Sequence, residues 1–168
     1  ALPIYSCNYF FYVVGEQIGV QKLNEYAKRL GLGVKTGVEV WEETGIIAGP
    51  EYRKSINAPW YDGDLLAASI GQSDNVFTPV QMATMLSTVV NGGTRYNTHF
   101  LKSVNEYYTK NIVYYNPVTQ LNKIDYPDNV YQALMKGMQS VAEAGTAVTL
   151  FEGFPVKVGA KTGTAQIT

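Results

Sequence analysis

A mixed α/β (α+β) fold, helices together with short strands, is what this sequence predicts. Three observations carry it. Apolar residues recur at helix spacing in three stretches, alternating β-branched and aromatic residues fill short segments between polar turns, and no internal repeat or linker divides the chain. With 168 residues, 46% of them apolar, the chain is long enough for one core that buries most of its apolar surface. Residues 1–168 are therefore expected to form one domain or a large part of one.

The first helix is expected from Asn8 to about Leu30. Tyr9, Phe10, Phe11, Val13 and Val14 lead past Gly15 and Gly19, then Val20, Leu23, Ala27 and Leu30 recur at helix spacing, and Gly31 and Gly33 end the run. Residues 34–60 mix Gly and Pro with alternating Val38, Val40, Ile46 and Ile47, which predicts short strands and an extended loop without a core of its own. Thr78-Pro79-Val80-Gln81 has Thr at a cap position, Pro at the first helical position and Gln where a capping box needs it. A helix to about Val90 follows, with Met82, Met85, Leu86, Val89 and Val90 on its buried side, and Asn91-Gly92-Gly93 stops it.

Residues 94–118 read as two strands around a polar turn, Phe100, Leu101 and Val104 on one and Ile112 to Tyr115 on the other. Val130, Leu134, Met138 and Val141 trace one stripe of a helix from Asp128 to Ala144, closed by Gly145. The tail from Val156 is expected to be the final strand.

Composition excludes several function classes. Net charge is -1 with 16% charged residues, so no basic face large enough to track phosphates exists, and nucleic acid is not an expected partner. The single cysteine, Cys7, cannot form an internal disulfide and reads as a small buried apolar side chain. No His, Cys, Asp or Glu residues cluster at ligand spacing, so neither a metal nor a cofactor is expected. The longest apolar run, Tyr9 to Val14, is far short of the roughly 20 residues of a membrane span. His99, Asp125, Asp128 and Glu143 read as surface, capping or structural groups, and Met82, Met85, Met135 and Met138 as core.

The chemistry concentrates at the two ends. Acyl transfer by a serine enzyme needs a nucleophile, a base, an oxyanion hole and a means of holding the substrate in line. A Lys-Thr-Gly-Thr strand supplies the last two, because main-chain N–H groups along an open edge, with hydroxyls and an ammonium, suit a peptide ending in a carboxylate. Lys-Thr-Gly occurs twice. Lys35-Thr36-Gly37 follows a Gly-rich helix end and reads as a turn. Lys161-Thr162-Gly163 is followed by Thr164 and preceded by an alternating stretch, the context the chemistry requires. Ser6-x-Asn8 read alone is a common helix N-cap. No Ser in the chain is followed three positions later by Lys.

Taken as an ordered set, these motifs resemble the transpeptidase domain of high-molecular-weight penicillin-binding proteins of the monofunctional class B type. Ser6-Cys7-Asn8-Tyr9-Phe10-Phe11 is similar to that family's second motif. Trp60, Gly63-Asp64, Ile70-Gly71-Gln72 and Thr78-Pro79-x-Gln81 follow its W-x-x-G-D, I-G-Q and T-P-x-Q run in order and spacing, and Gly145-Thr146-Ala147 with Lys161-Thr162-Gly163-Thr164-Ala165-Gln166 follow its end. Ala160 stands where the family usually has Gly.

The resemblance implies a partial penicillin-recognising, β-lactamase-like fold, helices packed on an antiparallel sheet that is incomplete. It implies catalytic roles for Ser6, Asn8, Lys161 and Thr164, with Ser6 relaying a proton, Asn8 holding the substrate amide and Lys161 keeping the site electropositive. Thr162, Gly163 and Thr164 would bind the terminal carboxylate, and the Thr164 N–H would be half of the oxyanion hole. Gln72, Thr78 and Gln81 would be architectural. The family's Ser-x-x-Lys nucleophile motif lies upstream of Ser-x-Asn and is not in this chain, which predicts part of a longer domain, inactive alone.

The implied partners are a D-Ala-D-Ala stem peptide, β-lactam antibiotics and the remainder of the same domain. The implied place is the extracytoplasmic face of a bacterial membrane, with the anchor outside this chain. A non-catalytic sensor or scaffold module of the wall machinery is the alternative, and a carboxypeptidase or β-lactamase of the same superfamily is a third reading.

Overall fold

The computed structural model describes residues 7–163, and they fall into two compact units. One comprises residues 7–23, 48–75 and 126–163, the other Asn24–Ile47 and Val76–Asp125. The elements in chain order are α1 (Asn8–Ile18), α2 (Val20–Leu30), α3 (Pro50–Ser55), α4 (Asp62–Ser69), α5 (Pro79–Val90), β1 (Thr94–Tyr96), β2 (Ser103–Asn105), β3 (Ile112–Tyr115), β4 (Gln120–Lys123), α6 (Asp128–Ala144) and α7 (Val148–Phe151).

The helix expected over residues 8–30 is two helices. Gly19 separates them with φ 79° and ψ 154°, a combination essentially reserved for glycine, and its N–H still closes on the Gly15 carbonyl at 2.8 Å. The division into units falls within α2. Gly31, at φ 101°, ends α2 as expected.

In the first unit, α1 packs against α4. The crossing depends on Gly15, which is buried, because a side chain there would overlap Ser69 of α4. Neither α3 nor α4 has a helical stripe in the sequence. They are held by longer-range polar contacts: Arg53 of α3 reaches Asp74 at 2.5 Å and Asp64 of α4 at 3.6 Å. Asp64 also accepts the Tyr61 N–H at 2.8 Å, which serves the start of α4. Asn75 accepts the Ala48 N–H at 2.9 Å and donates to the Gln72 carbonyl at 3.0 Å. Helix α6 has the expected bounds, with Gly145 at its C-cap. Val141 is 1% exposed, and Ala142 and Ala147 are also buried.

In the second unit, the capping box of α5 is formed as read. The Gln81 N–H donates to Thr78 Oγ1 at 3.3 Å, and the Thr78 N–H donates to Gln81 Oε1 at 3.1 Å. The buried face is a correction, since the residues turned inward are Gln81, Thr84 and Thr88, whereas Met82 and Leu86 are each 45% exposed and Val90 is exposed. Hydrogen bonds decide this. Gln81 Nε2 donates to the Val34 and Thr44 carbonyls, each at 2.8 Å, Thr84 and Thr98 share a hydroxyl contact at 3.0 Å, and Thr88 Oγ1 donates to the Thr84 carbonyl at 2.8 Å. Once these polar groups leave water they must keep partners, and that fixes which face turns in.

The strands form two antiparallel ladders. β1 pairs with β4 in the register Thr94↔Lys123, Arg95↔Asn122, Tyr96↔Gln120, and β2 pairs with β3 as Ser103↔Tyr115, Val104↔Tyr114, Asn105↔Ile112. The expected hairpin is therefore β2–β3, set inside an outer ribbon whose strands were not read. Residues 34–48 do not form the expected short strands, and only an isolated bridge between Ile46 and Val76 appears. The loop closes instead on two carboxylates. Glu42 accepts the Thr36 N–H (3.0 Å), the Thr36 hydroxyl (2.8 Å) and the Gly37 N–H (3.0 Å), and Glu39 accepts the Phe100 and Leu101 N–H groups at 2.9 and 3.3 Å.

The described apolar core is small: Leu32, Val38, Ala48, Ile124, Val141, Ala142 and Ala147.

Candidate active site

The second motif sits at the start of α1. Asn8 is its first residue and is exposed. The N-cap is Cys7, extended at φ -69° and ψ 105° and without a side-chain cap bond. Its thiol is exposed, against the expectation of a buried side chain. The reading of Asn8 as an N-cap is corrected in the same way. Ser6 lies outside the described residues, as do Thr164, Ala165 and Gln166. Phe10 and Phe11 meet edge to face with centroids 5.3 Å apart.

The Lys161-Thr162-Gly163 motif, the third of the family's set, lies on an extended segment leading away from α7. Along it Val158 and Ala160 are half-buried, whereas Lys157, Gly159 and Lys161 are exposed, so the period of two holds over residues 157–161 but not at Val156 or Thr162, which are exposed as well. The expected strand does not form: residues 156–163 carry no ladder. A strand is defined by a neighbouring backbone, and this segment instead leans on a helix. The Ala160 N–H donates to the Met138 carbonyl of α6 at 2.9 Å. The Lys161 ammonium donates to the Thr162 carbonyl at 2.9 Å and reaches its hydroxyl at 3.4 Å. Lys161, Thr162 and Gly163 are all exposed, and they belong to the same compact unit as Asn8.

The two Lys-Thr-Gly copies differ in what their donors do. Thr36 is buried, and both N–H groups and the hydroxyl of the first copy converge on Glu42. Burial opposes ionisation of Glu42, but these donors and the charge of Lys35 outweigh it and hold the carboxyl below its ordinary range. The first copy is thus a carboxylate receptor filled by the chain itself. The second stands in a solvent-facing segment.

Among the described residues, no group of three or more His, Cys, Asp or Glu side chains is placed to hold a metal. His99 Nδ1–H donates to the Leu101 carbonyl at 2.9 Å, a local structural contact. Sequence reading missed Met138 and Gly159 as supports of the third motif. Met138 contributes a main-chain carbonyl, which no side-chain pattern reveals, whereas Gly159 was visible as a small residue beside the motif.

A family model described as the penicillin binding protein transpeptidase domain matches residues 3–168. The peptidoglycan D,D-transpeptidase MrdA of Escherichia coli strain K12 is 33% identical over 166 residues, covering 96% of this chain and 26% of that protein. Stage V sporulation protein D of Bacillus subtilis strain 168 is 34% identical over 164 residues, covering 96% of this chain and 24% of that protein. Among solved structures, the complex between penicillin-binding protein PBP2 and MreC from Helicobacter pylori contains a chain matched at a TM-score of 0.79 and 30% identity, over 99% of this chain and 30% of that one. The chain spans about a quarter of the length of the curated relatives it matches. Its helices and antiparallel strand pairs are those of a known architecture, and with the family match running through both compact units, the chain belongs to the penicillin-binding protein transpeptidase domain family.

Proposed function

We propose that this chain is the part of a peptidoglycan D,D-transpeptidase that carries the second and third motifs of its active site. The protein containing it crosslinks stem peptides through an acyl-enzyme formed on a serine outside this chain, and β-lactams acylate the same serine. In this reading Ser6 passes a proton between that serine and the leaving amine, Asn8 holds the substrate amide, and Lys161 keeps the cleft electropositive. Thr162, Gly163 and Thr164 receive the terminal carboxylate, with the Thr164 N–H as one oxyanion-hole donor. Work at the outer face of a bacterial membrane, through an anchor outside residues 1–168, completes the proposal.

The observation that carries it is the contrast between the two Lys-Thr-Gly copies. One is closed on Glu42, while the other is exposed and shares a unit with Asn8. The names of the relatives at 33% and 34% identity point the same way for the reaction class.

Fluorescent penicillin applied to the full-length protein tests the assignment. Lys161→Ala is expected to slow acylation by about a hundredfold or more, the scale of removing one oxyanion-hole donor, while Lys35→Ala leaves the rate near that of the parent. The reverse pattern would mean that the copies are wrongly assigned. The isolated chain, which has no Ser-x-x-Lys, is expected to stay unlabelled, since removing the nucleophile of a serine hydrolase costs on the order of a millionfold.

A further inference from the structure

Resting on the reading of Lys161–Gly163 as the carboxylate-binding segment, we infer that Gly159 and the main-chain carbonyl of Met138 form a register peg that positions Lys161. The Ala160 N–H, one residue before Lys161, donates to that carbonyl at 2.9 Å. A Cβ on Gly159 would lie 3.3 Å from the Met138 Cβ and 3.7 Å from its carbonyl carbon. Both atoms are fixed in the body of a helix, so the segment rather than the helix has to give way. Val141, less than one turn further along α6, is buried, which holds that stretch of helix against rotation.

The peg acts at short range. An extended chain advances about 3.3 Å per residue and reverses its side chains at each step, so a slip of one residue carries the Lys161 ammonium to the opposite face. A displacement of even about 1 Å at a reacting centre costs about a hundredfold in rate. Gly159 permits the close approach, the Met138 carbonyl defines the register, and neither touches substrate. Both are positioning residues.

The test uses the full-length protein and resolves β-lactam acylation into its binding constant and its first-order chemical step. Gly159→Val is expected to lower the first-order step at least tenfold in the folded fraction, and Gly159→Ala to lower it by less. Adding Met138→Gly to Gly159→Ala removes the opposing Cβ and is expected to restore much of the acylation rate. It should do so while lowering the melting temperature further, because glycine weakens a helix interior. A purely structural role predicts the opposite: an unchanged first-order step in whatever fraction folds, and a double variant worse in both respects. If Gly159→Val acylates at the parental rate while Lys161→Ala does not, the peg is refuted and the site stands. If Lys161→Ala itself acylates normally, the site assignment falls, and the peg with it.

Discussion

Replacing Gln81 with alanine strands three partners at once, the Val34 and Thr44 carbonyls and the Thr78 N–H. The side chain has no exposed surface, and each buried group left unpaired costs about 1–3 kcal/mol. A loss of about 2–5 kcal/mol is expected, read as a fall in the urea midpoint with little change in slope. Gln81→Glu keeps the volume but turns a second acceptor toward two carbonyls, and it is expected to be no milder at neutral pH. Glu42 gives a second prediction. Its folded-state carboxyl titrates below the ordinary value of 4.5, so the ionised form stabilises the fold above that value, and the contribution disappears as the pH falls through the lower, folded value. Thermal unfolding followed from about pH 7 down to about pH 3 should show an acid limb that is shallower in Glu42→Gln.

The helices show which elements a sequence exposes and which it conceals. α5 and α6 were legible in their bounds because their signals are local: a capping box, Pro at the first position, a stripe at helix spacing and a closing Gly. α3 and α4 were not, because Arg53 pairs with Asp64 and Asp74 across 11 and 21 positions of sequence, and a window that slides along the chain does not see such pairs. The inward face of α5 was misread for a related reason. Apolar periodicity points Met82 and Leu86 inward, but Gln81 and Thr84 have hydrogen-bond partners that only the folded chain supplies. At the junction of α1 and α2, Gly19→Ala is expected to cost about 1–3 kcal/mol. No neighbouring atom lies within 4 Å of a Cβ there, so the whole effect is backbone strain, and Gly19→Val should be similarly destabilising by urea unfolding.

For the molecule as a whole, the order of motifs was readable, and the resemblance implied that the two ends share one site, but the division into two compact units was not readable. Asn8 and Lys161 stand near opposite ends of the chain yet belong to one compact unit, whereas Lys35 and Gln81 belong to the other; nothing in composition marks that division, because it is drawn by long-range packing. The third motif was recognised from its letters, but its support by a helix carbonyl was invisible, since every residue has such a carbonyl. One consequence concerns the isolated chain in solution. Met82, Leu86 and Val90 line an uncovered face of α5, and Tyr107 and Tyr108 at the hairpin tip are 77% and 87% exposed; grouped apolar surface of this kind promotes attraction between molecules. Static light scattering is expected to return a negative second virial coefficient at moderate ionic strength. Replacing Met82 with Gln and Leu86 with Glu should move it toward positive values, with the far-ultraviolet dichroism unchanged.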